Sequence, residues 1–283
     1  MIKSFIKKKI IDPVSVSAVR QIVNSEAELK EIWEYSFKIF TDFGQHYTVP
    51  VDNKEVEQRI RLLMAAETIF VKKAIERVVE IEGRCSYADV GDSDGSIRLL
   101  LNKYYNVDKL SYVGINLQNS AVEKIRSKGL DAICADALSL GDQEIHYDVV
   151  SVFETLEHLP DPIGFLKGIR KVTDRRLIVS VPFIRHSRVG LAYLSKKWLR
   201  QWPEDKKPTI ENTHIFELSP KDWKKLFLHT GWKVDREWKL MMFPSNRPSR
   251  LILQPFWRFV SFEGFWFVSL YKDSEYSSQY AIE

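Results

Sequence analysis

The sequence predicts an α/β fold in which a doubly wound, mostly parallel β-sheet follows an N-terminal block of helices. Three observations carry this. From Cys85 onward, short apolar runs alternate with helix-like stretches, the pattern of parallel strands joined by crossover helices. The runs are near-continuously apolar, as strands covered on both faces must be. Before residue 83 the apolar residues instead recur every three or four positions.

The N-terminal block opens at Ser25-Glu26-Ala27-Glu28, which has the form of a capping box, a hydroxyl with a Glu three positions on. Trp33, Phe37 and Phe40 follow at helical spacing, and Pro50 interrupts. Asp52 then opens a second helix. Its apolar residues Val56, Ile60, Leu63, Met64, Val71, Ile75 and Val78 mark one face, and Gly83 ends it. Strands are expected at Tyr87–Val90, Ser111–Ile115, Ala132–Cys134, Asp148–Phe153 and Leu177–Val181, with helices at Ser96–Tyr105, Ser120–Lys128 and Ile163–Val172 between them. The segment Pro182–Thr213 is less regular. Ser219 then caps a helix with Pro220 at its first position and Gly231 after its last turn. Strands Lys233–Phe243 and Phe265–Tyr271 close the chain. Residues 1–82 thus read as a helical cap and 83–283 as the α/β domain, with a lid inserted at about 183–214.

Composition narrows the function. The 283 residues are 45% hydrophobic and 28% charged, enough for a sizeable core and unlike a disordered chain. Lys plus Arg is 42 and Asp plus Glu 38, so the net charge of +4 gives no concentrated basic stripe for nucleic acid. The two cysteines, Cys85 and Cys134, suit a reducing compartment. With no signal-peptide pattern and no run of about 18 apolar residues, a cytoplasmic location is expected.

In such a sheet, ligands bind beyond the carboxyl ends of the strands. The first loop there reads Asp89-Val90-Gly91-Asp92-Ser93-Asp94-Gly95. It lacks the Lys of a phosphate-binding loop. It also fails the nicotinamide-dinucleotide fingerprint, because positions 93 and 96 are both Ser. Asp92 and Asp94 would repel a pyrophosphate and suit a cationic or zwitterionic ligand. No metal site is evident, since no His or Cys joins these two carboxylates at ligand spacing.

Residues 85 to 272 resemble the class I S-adenosylmethionine-dependent methyltransferases, most closely the small-molecule subgroup (methyltransferase type 11/12-like) found in quinone, sugar and natural-product methylation. Asp89, Gly91 and Gly95 match that family's first strand and loop, with Ser93 in place of the middle Gly. Asn116, followed by Leu117, stands where the family carries a ribose-binding acid. Asp136, followed by Ala137, matches the acid near the adenine amino group. The run Asp148 to His158, with Phe153 and Glu154 at its centre, looks like the fourth motif, and Pro160-Asp161-Pro162, Val181-Pro182 and His214 also fit. The resemblance implies a Rossmann-like methyltransferase fold with a seven-stranded, mostly parallel sheet. It implies S-adenosyl-L-methionine held by Asp89, Gly91, Ser93, Gly95, Asn116, Leu117, Asp136, Ala137, Phe153 and Glu154. Replacing the acid by Asn116 removes a charge-assisted hydrogen bond, worth about 1 kcal/mol more than a neutral one.

Methyl transfer asks mainly for positioning, with a base for a hydroxyl or amine acceptor. His158 and His214 are the candidates for that base, and a structural role in orienting its loop stays open for His158. Trp33, Tyr35 and Tyr47 could wall an acceptor site or pack the helices onto the sheet. Leu191, Leu194, Trp198, Leu199 and Trp202, surrounded by Arg188, Lys196, Lys197 and Arg200, read as a lid. With Lys7–Lys9 they could also make weak peripheral contact with a membrane. The activity expected is O-methylation of a small molecule or of a glycan- or lipid-linked acceptor, by a monomer or homodimer that binds no nucleic acid and inserts stably in no membrane. The alternatives are a non-catalytic binding module that holds the cofactor or its product, a nicotinamide-dependent oxidoreductase, and a nucleic-acid methyltransferase. The last lacks an Asn-Pro-Pro-Tyr-type motif.

Overall fold

The computed structural model describes residues 19–20, 22–43, 54–142, 144–187, 214–241 and 264–280. The candidates Tyr47, Lys7–Lys9, and the residues named between Arg188 and Trp202 lie outside these.

The described elements are α1 (Ala27–Ile39), α2 (Lys54–Glu82), β1 (Cys85–Val90), α3 (Ser96–Leu101), β2 (Leu110–Asn116), α4 (Asn119–Ser127), β3 (Ala132–Cys134), β4 (Tyr147–Phe153), α5 (Pro162–Val172), β5 (Thr173–Phe183), α6 (Pro220–His229), β6 (Trp232–Met241) and β7 (Gly264–Lys272). The seven strands form one sheet in the order β3-β2-β1-β4-β5-β7-β6. The pairs from β3 through β5 are parallel, whereas β7 runs antiparallel to both its neighbours. The expected doubly wound, mostly parallel sheet is therefore present.

Alternation along each strand divides the core in two. Tyr87, Val149, Ile178 and Phe267 point to the face covered by α1, α2 and α3. Their neighbours Ala88, Val150, Val179 and Trp266 point to the face covered by α5 and α6. This period of two accounts for runs that are apolar throughout.

Two helix starts follow the sequence. Asp161 caps α5, accepting from Gly164 N at 2.8 Å. Ser219 caps α6, accepting from Asp222 N at 3.4 Å. The capping box expected at Ser25 does not form. The Ser25 hydroxyl donates to the Ile22 carbonyl at 2.6 Å, closing the preceding turn, so α1 begins behind Glu26 with no side-chain cap. Helix α3 is also shorter than expected, ending at Leu101 rather than Tyr105.

α1 and α2 are joined by Arg61, whose side chain is 1% exposed. Its guanidinium donates to the carbonyls of Ser36 and Phe40 at 2.6 and 2.7 Å, pairs with Glu57 at 2.6 Å, and stacks on Phe37 and Phe43. One charge thus adds hydrogen bonds to two carbonyls at the end of α1. On α1, Trp33 stacks edge-on against Phe37, and Tyr35 lies under the Lys103 ammonium. Both rings pack helices together. Among the described residues, no helix is long and apolar enough to cross a membrane.

Candidate active site

The loop from β1 into α3 is shaped by its own acids. Asp92 Oδ1 accepts from the backbone N–H groups of Asp94 and Gly95 at 3.1 and 2.8 Å. Its other oxygen accepts from the Tyr112 hydroxyl. Asp94 Oδ1 accepts from Ser96 N at 3.0 Å. Gly91 and Gly95 both have left-handed φ, 86° and 73°. A Cβ on Gly91 would stand 2.3 Å from the Thr155 hydroxyl oxygen. Here glycine permits both the turn and the close approach of the β4 loop.

Next to this loop lies a cavity of about 90 Å³, lined by Glu67, Asp89, Asp94, Ser96, Phe153 and Glu154 among others. Its walls are strongly acidic. Asp89 accepts from the Ser151 hydroxyl at 2.6 Å. The Ser180 hydroxyl on β5 lies 3.2 Å from Glu67 and 3.0 Å from Glu154, bridging the two carboxyl groups. Burial holds Glu67 and Asp89 well above the carboxylate range, helped by the charge of Glu154 at Glu67 and of Asp92 at Asp89. Burial pushes Glu154 up to about 8. Burial and the charge of Asp94 bring Asp92 to about 6. Asp94 Oδ2 and Ser96 Oγ are buried with no hydrogen-bond partner. Glu154 has a φ of 45°, a strained value for a non-glycine residue. The pocket thus gathers several carboxyls that burial and mutual charge hold above the usual carboxylate range.

The cavity suits an amino-acid-sized group. Any larger ligand must extend along the open carboxyl edge of the sheet. There Leu117, after β2, is 61% exposed, and Leu138, after β3, is 36% exposed. Asp136 lies exposed beside them, its Oδ1 accepting from Leu138 N at 2.9 Å, with Ala137 between the two. Asn116, at the position of the expected ribose contact, is hydrogen-bonded within the chain. Its Nδ2 donates to the Asp92 carbonyl at 2.8 Å and its Oδ1 accepts from Gln118 N at 2.8 Å. The side chain that replaces the acid is used to tie the β2 turn to the first loop.

His158 and His214 come together although 56 positions separate them in sequence. Their rings stand edge to face with centroids 4.8 Å apart. Ile215 N and Phe216 N both donate to the Glu157 carbonyl, at 2.7 and 3.0 Å, which fixes the His214 segment to the β4–α5 loop. Ser219 N also donates to the Ser187 hydroxyl at 2.8 Å. Neither histidine lines the cavity, but Glu154 does, and its charge is felt at Glu157.

The methyltransferase domain profile matches residues 66–237, well over half of the chain. The chain belongs to the methyltransferase domain family. It is of the class I, S-adenosylmethionine-dependent kind, and S-adenosylmethionine is that family's cofactor. No curated protein matches the sequence. Three solved structures are similar to this chain. A putative sarcosine dimethylglycine methyltransferase from Galdieria sulphuraria is 12% identical, covers 83% of this chain and 96% of its own, and gives a TM-score of 0.54. Magnesium protoporphyrin IX methyltransferase from Synechocystis PCC 6803, solved with bound SAH, is 15% identical over 83% of this chain and 97% of its own, with a TM-score of 0.49. The [4+2]-cyclase SpnF is 14% identical over 71% of this chain and 81% of its own, also at 0.49.

The methyltransferase reading fits the donor set. Ser96 Oγ is a buried polar atom without a hydrogen-bond partner in this acidic pocket, and Asp94 Oδ2 beside it is answered within the chain by the Lys128 ammonium, 3.7 Å away. Sequence reasoning missed Glu67, Ser180, Glu157 and Leu138. Glu67 alone left a readable signal, an acid on the apolar stripe of α2 four residues after Leu63 and four before Val71.

Proposed function

We propose that this protein transfers a methyl group from S-adenosylmethionine to an oxygen of a small molecule or of a glycan- or lipid-linked acceptor. The observation that supports this most is the carboxyl-lined pocket at the ends of β1 and β4, with Glu67, Asp94 and Glu154 around space for a cationic head group. The residues that would hold the cofactor are Asp89, Gly91, Ser93 and Gly95 at the amino-acid end, with Phe153 and Glu154 beside them. Leu117, Asp136, Ala137 and Leu138 would hold the nucleoside end, with Asn116 bracing the loop. When bound, the cofactor supplies a methyl group already activated by its sulfonium charge.

The chain's own part is then mostly placement. A cation in the pocket removes the reason for Glu154 and Glu67 to stay protonated, and their carboxylates then fix it. Glu154, strained at the end of β4, is close enough to Glu157 for its charge to be felt there, and Glu157 adjoins His158 in sequence. Either histidine can take the proton from an acceptor hydroxyl as the oxygen forms its bond to carbon. Residues 1–82 serve in this reading as a helical cap, of which Glu67 supplies the pocket wall.

The test is calorimetric titration with S-adenosylmethionine, S-adenosylhomocysteine and NAD, followed by an acceptor screen with radiolabelled cofactor. Micromolar binding of both sulfur ligands and none of NAD is expected. A chain that binds neither sulfur ligand has no claim to the activity. One that binds both yet labels no acceptor oxygen is the non-catalytic holder, for which Asn116's occupied side chain speaks.

A further inference from the structure

Glu157, His158 and His214 place one carboxylate oxygen and two ring nitrogens within 4.8 Å of one another. The Glu157 side chain is only 2% exposed, and neither of its oxygens has a hydrogen-bond partner. A bare carboxylate in that position costs several kcal/mol unless a charge answers it. The His158 ring stands beside it, with Nε2 3.8 Å from Glu157 Oε1, too far for a hydrogen bond. The third acid in the neighbourhood, Glu217, lies 3.3 Å from His214 Nδ1. A carboxylate behind a histidine is the arrangement that sets the tautomer and aims the ring in metal sites.

We propose that Glu157, His158 and His214 bind a divalent transition-metal cation, of the zinc or manganese type. One oxygen and two imidazoles form a set these ions accept. Two ligands bonded to one ion at about 2.1 Å stand at most about 4.2 Å apart, so the three atoms need close by only about half an ångström. The scaffold can make that adjustment. Glu157 and His158 share one short turn after β4, and the two backbone bonds from 215 and 216 to the Glu157 carbonyl hold His214 against it. Three protein ligands leave positions open. His158 and His214 are 14% and 28% exposed at the side chain, so those positions can reach solvent or an acceptor. If the methyltransferase reading holds, an acceptor hydroxyl there would be acidified by the ion, which would replace a histidine base. The ion site itself does not depend on that reading.

The experiment uses the full chain, stripped with EDTA and dialysed, titrated with MnCl2 under electron paramagnetic resonance and with ZnCl2 against a chromophoric chelator. One ion per chain is expected. His214→Ala and Glu157→Gln should each weaken it by more than about tenfold, since loss of a ligand exceeds the loss of a supporting group. Glu217→Gln should weaken it by about tenfold. His214 is partly exposed, so its variant keeps the test open should Glu157→Gln fail to fold. Failure of both ions to bind the wild-type chain overturns the site. So does binding that His214→Ala leaves unchanged. S-adenosylhomocysteine titrated into the same sample separates the two readings: ion binding without nucleoside binding keeps the site and sinks the proposed function, and the reverse result sinks the site alone.

Discussion

Replacing Glu154 by Gln should stabilise the protein while weakening the site. Burial raises this carboxyl from 4.5 to about 8. The folded chain therefore holds a proton that the unfolded chain releases, between those two values. Stability from such a group is complete below about pH 4.5 and is lost as pH rises through about 8. At pH 7 the proton has been held across about 2.5 pH units, at about 1.36 kcal/mol each, which amounts to a penalty of at most about 3 kcal/mol. Gln cannot ionise and keeps a donor for the Ser180 bridge. Glu154→Gln should then melt about 6–12 °C higher at pH 7, at about 2–4 °C per kcal/mol for a chain of this size. The assay is a pair of thermal melts from pH 4.5 to 9. The two curves should meet near pH 4.5, diverge up to about pH 8 and run parallel beyond it. A gap independent of pH, or a variant that melts lower at pH 7, would refute the reasoning. The same variant should bind S-adenosylmethionine at least about tenfold more weakly, because a charge-assisted contact is lost.

Four further expectations follow from the same geometry. Gly91→Ala forces a left-handed alanine against Thr155 and should cost about 2–4 kcal/mol by denaturant titration, part of it recovered by adding Thr155→Ala. Asp94→Asn removes a charge from the pocket wall and from its 3.7 Å pairing with Lys128, and calorimetry should show nucleoside affinity reduced about tenfold or more while the chain still folds. Arg61→Met strips the hydrogen bonds from the end of α1 and leaves Glu57 without its cation, for about 2–4 kcal/mol in a urea midpoint series. Binding of S-adenosylmethionine at pH 7 should release protons from the Glu67–Glu154 pair, visible as a binding enthalpy that changes with the buffer's ionisation heat.

What could be read from the amino acids alone follows a physical line. Strands β1 to β5 announced themselves because a sheet buried on both faces leaves no polar alternation to confuse the pattern. α6 showed through Ser219-Pro220, where cap and first position are adjacent in sequence, and Asp161-Pro162 makes the same start for α5. The first loop was legible for the same reason, since Asp92 and Asp94 bind backbone groups two or three residues away. Asn116 could be placed at the end of β2, but its occupation could not, because its partner is Asp92, 24 residues back. Ser25 misled because its hydroxyl had a closer carbonyl at Ile22. Glu67, Ser180 and Glu154 meet only when α2, β5 and β4 are assembled, and no local spacing encodes that. His158 and His214 were chosen one by one as bases. Their pairing with Glu157 belongs to the fold.

The contacts Ser219 N to Ser187 and residues 215–216 to Glu157 bring the two sides of the stretch between 187 and 214 to one spot on the carboxyl edge. A chain anchored at both feet in this way can exchange what lies between them cheaply. Doubling the length of a closed loop costs only about 0.6 kcal/mol of entropy, and none of that cost reaches the strands. The hydrogen bonds that hold residues 215, 216 and 219 are therefore made outside that stretch and do not depend on its length. On such a frame a change of length between 187 and 214 leaves Glu67, Asp94 and Glu154 as they are, because none of them belongs to that stretch.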